Sequence, residues 1–117
     1  MFKVIVAGTR TYNNYQELKQ VLDEVLINKK PNIEIVSGGA RGADHLGEIY
    51  ANDNNYQLKI FPADWDIYGK AAGYIRNEQM ARYADACVVF WDKQSRGSKH
   101  MIDLANKYHL QLFVYYI

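Results

Sequence analysis

The segment Ser37-Gly38-Gly39-Ala40-Arg41-Gly42-Ala43-Asp44 concentrates groups that bind anions. Three glycines within five positions let the backbone turn its N–H groups toward one point. A helical pattern follows, so the positive end of a helix reaches the same place. The spacing Gly-Gly-x-x-Gly is not the Gly-x-Gly-x-x-Gly dinucleotide fingerprint, and the Gly-Lys-Ser/Thr of a Walker loop is absent. Ser37, Gly38, Gly39, Arg41 and Gly42 are candidate phosphate contacts. Asp44 has two readings, a helix cap or a ligand contact.

Three more segments carry similar chemistry. Gly8-Thr9-Arg10-Thr11 follows an apolar run. It offers a close backbone approach at Gly8, a hydroxyl at Thr9 and a forked cation at Arg10 that suits phosphate or carboxylate. The alternative is a simple turn with a solvated arginine. The stretch from Pro62 to about Ala71 reads as a long loop, and such loops are usually functional in small domains. In it Trp65 and Tyr68 are candidates to stack on a base, or to pack beneath the loop. Lys70, and Arg76-Asn77 on the helix that follows, are candidates to meet phosphate. The last segment, Asp92-Lys93-Gln94-Ser95-Arg96-Gly97-Ser98, opens another helix. Ser98 reads first as its N-cap. Arg96, Gly97 and Ser98 make a second candidate anion site, and Asp92 is a candidate for a ribose hydroxyl or a loop cap.

Other chemistries lack their residues. His45, His100 and His109 lie on separate segments without partners at ligand spacing, so no metal site is expected. There is no Gly-x-Ser-x-Gly elbow. The single cysteine, Cys87, lies in an apolar run and reads as a core thiol, which fits a reducing compartment. The net charge of +1 lacks the basic excess of a duplex-binding domain. Nucleic acid is therefore not the expected partner. The N-terminal apolar run is too short for a membrane span and reads as a strand, so a soluble, cytoplasmic protein is expected. Ten tyrosines leave room for a homodimer or higher oligomer.

These loops need a scaffold that brings them together. Short apolar runs alternate with helical periodicity over all 117 residues, the size of one domain. Strands are expected at Phe2 to Ala7, Ile33 to Ser37, Gln57 to Phe61, Ala86 to Trp91 and Leu110 to Tyr115. Helices are expected at Asn14 to Ile27, Ala43 to Asn52, about Gly73 to Tyr83, and Ser98 to Tyr108. Strand and helix in alternation predict an α/β fold. The expectation is a single Rossmann-like domain with a five-stranded, mainly parallel sheet in the order 3-2-1-4-5 and helices on both faces. That order reverses between strands one and four, and a ligand is expected in the crevice there.

The residues also carry a resemblance. Ala7-Gly8-Thr9-Arg10, Val36 to Asp44, Phe61 to Trp65, Tyr68 to Gly73, Arg76 to Met80 and Ser95 to Met101 together resemble the YspA-related, YpsA-like members of the SLOG superfamily. The likeness covers nearly the whole chain and implies a Rossmannoid fold and a nucleotide-derived ligand. The superfamily includes the lonely-guy phosphoribohydrolases. Their pattern has an Arg-Lys pair on helix three and Pro-Gly-Gly-x-Gly-Thr-x-x-Glu after strand four. Arg76 keeps the arginine and Asn77 replaces the lysine. Gly97-Ser98 matches Gly-Thr, but His100 stands where the catalytic glutamate belongs. A neighbouring carboxylate, Asp44, Glu48 or Asp92, is the candidate to substitute for that glutamate. The expected function is binding of a nucleotide or nucleotide-derived ligand, as a sensor or sequestering protein with no obligatory cofactor. Two alternatives stand beside it. One is a hydrolase acting on a nucleotide's N-glycosidic or phosphate bond. The other is single-stranded DNA binding, as in DNA-processing protein A of the same superfamily.

Overall fold

A computed structural model describes residues 1–117. The elements are β1 (Phe2–Gly8), α1 (Tyr15–Val25), β2 (Ile33–Ser37), α2 (Ala43–Asp53), β3 (Gln57–Ile60), α3 (Trp65–Tyr68), a 3-10 turn (Gly69–Ala71), α4 (Ala72–Tyr83), β4 (Ala86–Trp91), α5 (Arg96–Lys107) and β5 (Gln111–Tyr116). All five strands join one sheet in the order β3-β2-β1-β4-β5, and every pairing is parallel.

Side-chain alternation explains why the central strands are apolar throughout. Val4 and Val6 of β1 point to one face and pack with Leu18 and Leu22 of α1 and Tyr50 of α2. Ile5 and Ala7 point to the other and pack with Met80 of α4 and Met101 and Leu104 of α5. Both faces are covered, so both sets of alternating positions must be apolar. Cys87 belongs to the second face and is fully buried, where burial pushes its thiol pKa up.

Two expectations are corrected. The stretch after β3 is not a structureless loop. The Asp64 carboxylate accepts the Ile67 N–H at 3.2 Å, which caps the single-turn helix α3. Gly69, at φ +56°, ends that turn and the 3-10 turn leads into α4. The second correction concerns α5, whose cap is Ser95 rather than Ser98. Ser95 Oγ accepts the Ser98 N–H at 3.3 Å and the Ser98 hydroxyl at 3.0 Å. Gly97 thus lies inside the first turn of the helix and not before it.

The order of the strands positions the site. From β1 the chain moves outward to β2 and β3, and from β4 outward to β5. The connections leaving β1 and β4 cover opposite faces, and a crevice opens at their carboxyl ends. No helix is long and apolar enough to cross a membrane.

Candidate functional site

Arg76 is the centre of the crevice. It lies in the second turn of α4 and is only 8% exposed. Its Nε donates to Asn77 Oδ1 at 2.9 Å, and its Nη1 donates to the Gly38 carbonyl. Burial pulls its pKa down, Asp44 opposes that shift, and Arg10 adds to it. A buried guanidinium with donors to spare is a strong anchor for an anion.

Asp44 stands beside it. It is 5% exposed and sits in the first turn of α2, but it does not occupy the cap position, which is Gly42. Its Oδ2 instead accepts the Ala40 N–H from the preceding loop at 3.3 Å. Burial raises its carboxyl pKa to about 6, against the lowering effects of the Ala40 N–H and Arg76.

Four adjoining hollows form one groove around these groups. A cavity of about 240 Å³ at the switch point is lined by Gly8, Arg10, Asp44, Arg76, Asn77, Ser95, Gly97 and Ser98, among others. A cleft of about 610 Å³ is walled by Arg10, Gly38, Gly39, Arg41, Glu48, Ile60, Trp65 and Arg76. Arg10, Trp65, Lys70, Tyr74, Arg76 and Asn77 line a third, of about 210 Å³. The fourth, about 500 Å³, lies between α3 and α4 beside Trp65, Asp66, Tyr68, Ile75, Arg76 and Gln79. Arg76 lines all four and Arg10 lines three. Arg10 itself is exposed and has no ion-pair partner in the protein. The helix α5 begins at the cavity, so its positive end adds to the cationic field.

Five of the residues singled out in the sequence lie outside the groove, and all but Arg96 are engaged in holding the loops together. The Thr9 hydroxyl accepts the Asp92 N–H at 3.2 Å, joining the loops after β1 and β4. Asp92 Oδ1 accepts the N–H groups of Gln94 and Ser95, both at 2.8 Å, so it caps its own loop. These bonds hold its pKa below the usual carboxylate range. Ser37 is fully buried; its hydroxyl donates to Glu48 Oε2 at 2.7 Å and accepts the Gly39 N–H at 3.1 Å. Gly42, at φ +75°, lets the second loop press onto the first. A Cβ there would lie 2.3 Å from the Thr9 carbonyl oxygen. Arg96 is exposed on the first turn of α5.

The aromatic residues are open rather than packed beneath their loop. Trp65, Tyr68 and Tyr74 are each about half exposed. His100, at the place of the lonely-guy glutamate, does not line the cavity. Its ring meets Tyr74 edge-on at 4.5 Å, and its Nδ1 lies 3.2 Å from Asn77 Nδ2. Burial lowers its pKa, with Asp103 and Glu78 opposing. Of the three nearby carboxylates, Asp44 lines the cavity, Glu48 lines the adjoining cleft and Asp92 lines neither. Sequence reasoning missed Ser95, Ile75 and Gln79 as groove residues. Ser95 stood three positions before Ser98, a cap spacing that was legible; nothing in the sequence marked the other two.

The profile of the YspA, cpYpsA-related SLOG family matches residues 2–68. The gene 61 protein of Mycobacterium phage D29 is 32% identical over 113 residues, covering 92% of this chain and 90% of that protein. The chain belongs to this SLOG family. Two solved structures share the fold of this SLOG chain. DNA processing protein A from Streptococcus pneumoniae superposes with a TM-score of 0.78 at 20% identity, over 97% of this chain and 50% of that one. DNA processing protein A from Helicobacter pylori, described for its unique single-stranded DNA binding mode, gives 0.74 at 24% identity, over 97% of this chain and 64% of that one. The SLOG chain described here thus spans half to 64% of the lengths of those two chains.

Proposed function

We propose that this SLOG domain binds a nucleotide or nucleotide-derived ligand at the β1/β4 switch point, as a sensor or sequestering protein. The observation that carries this reading is the placement of Arg76. A buried arginine at the base of a continuous groove, joined there by unpaired Arg10 and the start of α5, suits a phosphate. The adjoining clefts around Trp65 leave room for the base. Ligand chemistry is not built in by an obvious catalytic pair, because His100 is committed to Tyr74 and Asn77. A thermal-shift screen of mononucleotides, NAD, ADP-ribose and cyclic nucleotides tests the reading, with each ligand recovered and analysed by chromatography. A raised melting temperature with intact ligand is the expected result. Consumption of the ligand would replace the binder with a hydrolase, and no shift from any nucleotide would contradict the reading.

A second reading, binding of single-stranded DNA, is favoured by one observation. Trp65 and Tyr74 expose their rings beside Lys70 and Arg10, the combination of stacking platforms and cations that single strands require. The Helicobacter pylori protein of the same fold is described for binding such DNA. Anisotropy of a labelled oligonucleotide decides it: salt-sensitive binding that Trp65→Ala weakens supports it, and no binding at low salt removes it.

A further inference from the structure

Arg10 and Arg76 give the switch-point cavity two cations, yet the same wall carries the carboxyl group of Asp44. The carboxylate supports the charge of Arg76, but on the wall of the cavity it repels a phosphate unless the ligand also brings a donor to it. An ionised carboxylate only accepts hydrogen bonds, so the ligand atom facing it must be a donor. Asp44 has capacity for one. The Ala40 N–H donates to its Oδ2 at 3.3 Å and the Gly38 N–H also draws on the carboxylate, which still leaves lone pairs of its two oxygens unused. Asp44 lines the cavity, so its carboxylate is within reach of a ligand there.

The donor is best met by hydroxyl groups. The two arginines lining the same space disfavour an ammonium group. The cavity, at about 240 Å³, is smaller than the ~300–1,000 Å³ that encloses a drug-sized molecule. It fits the sugar phosphate, and the base extends into the cleft beside Trp65, with which it shares Arg10, Ala40 and Arg76.

We propose that the switch-point cavity is a ribose phosphate subsite, in which Arg10 and Arg76 take the phosphate and Asp44 accepts hydrogen bonds from the vicinal ribose hydroxyls. This rests on the nucleotide reading above and narrows it to ribonucleotides. Burial of Asp44 fits the role, since a hydrogen bond to a desolvated carboxylate discriminates strongly against a ligand that lacks the donor.

The test compares ribose 5-phosphate with 2-deoxyribose 5-phosphate, and AMP, GMP, CMP and UMP with their 2′-deoxy forms, by calorimetric titration of the whole chain. The wild type is expected to bind the ribose forms about tenfold or more tighter. Asp44→Ala should erase that preference while retaining affinity for the phosphate. Asp44→Asn, which keeps the side-chain shape, should reduce the preference and guards against loss of fold, checked by circular dichroism. Equal affinity for ribose and deoxyribose forms in the wild type, or a preference that survives Asp44→Ala, overturns the subsite and leaves nucleotide binding standing. No binding of any nucleotide or sugar phosphate overturns both.

Discussion

Arg76 and Asp44 meet across Gly38. A methyl group on Gly38 would lie 2.6 Å from Arg76 Nη1 and 2.8 Å from Asp44 Oδ2. The absence of a side chain at this one position lets a cation from α4 and a carboxyl from α2 reach the same point at the end of β2. The site depends on that approach more than the fold does, because the groups in the way are side-chain ends and not backbone.

Gly38→Ala is therefore expected to separate binding from folding. The Arg76 guanidinium must move off the Gly38 carbonyl, and affinity for the best-stabilising nucleotide should fall roughly tenfold or more. Stability should fall by less than in Gly42→Ala, since a side-chain end can give way. Gly42→Ala is the contrast. Its φ of +75° and a Cβ 2.3 Å from the Thr9 carbonyl oxygen leave nothing that can yield. That variant should lose about 2 kcal/mol or more, read from urea midpoints. Equal stability of the two variants would refute the distinction.

Asp44 sets a pH dependence of stability. Its carboxyl titrates near pH 6 when folded, chiefly through burial, and near 3.9 when unfolded. Between about pH 4 and pH 6 the folded chain holds a proton that the unfolded chain has released, so this group's contribution falls as pH rises. Above that window the cost is on the order of 3 kcal/mol. Asp44→Asn removes it. The variant should match the wild type below about pH 4 and exceed it at pH 8, without ligand, in urea midpoints across that range. A variant less stable than the wild type at pH 8 would show that the carboxylate supports the fold instead of serving the ligand.

Asp92 should behave as a structural residue. Its carboxylate is spent on Gln94 and Ser95 and lines no part of the groove. Asp92→Ala is expected to lower the melting temperature and leave nucleotide affinity within about twofold once the chain is folded. A loss of affinity at unchanged melting temperature would return Asp92 to the ligand.

The architecture was legible because its physics is periodic. Strands buried on both faces must be apolar at every position, and Ala86 to Trp91 shows this without a break. Leu18, Val21 and Leu22 repeat at helical spacing. α3 escaped detection because one turn held by the Asp64 cap leaves no period to read. Polar residues at strand ends were the harder case. Ser37, Thr9 and Asp92 offer the same groups whether they face a ligand or a neighbouring loop, and only the packing of loop on loop decides. Arg76-Asn77 stood out in the sequence after a run of small residues, and the fold buries both in the crevice.

Trp65 offers a local reporter. Its indole is 53% exposed at the junction of three hollows of the groove. Nucleotide binding should quench or shift its fluorescence, and Trp65→Phe should remove that signal while leaving the ligand-independent emission of Trp91. A ligand-dependent signal that persists in Trp65→Phe would place the base elsewhere.

The most direct test of nucleotide binding at the switch point is calorimetric titration of wild type and Arg10→Ala with the nucleotide that stabilises the wild type most. Arg10 is exposed and unpaired, so its loss should leave the melting temperature of the free protein unchanged. The account predicts affinity roughly tenfold or more weaker in the variant, as for a lost charged contact to phosphate. Equal affinity in the two proteins, or no heat of binding from any nucleotide, would contradict it.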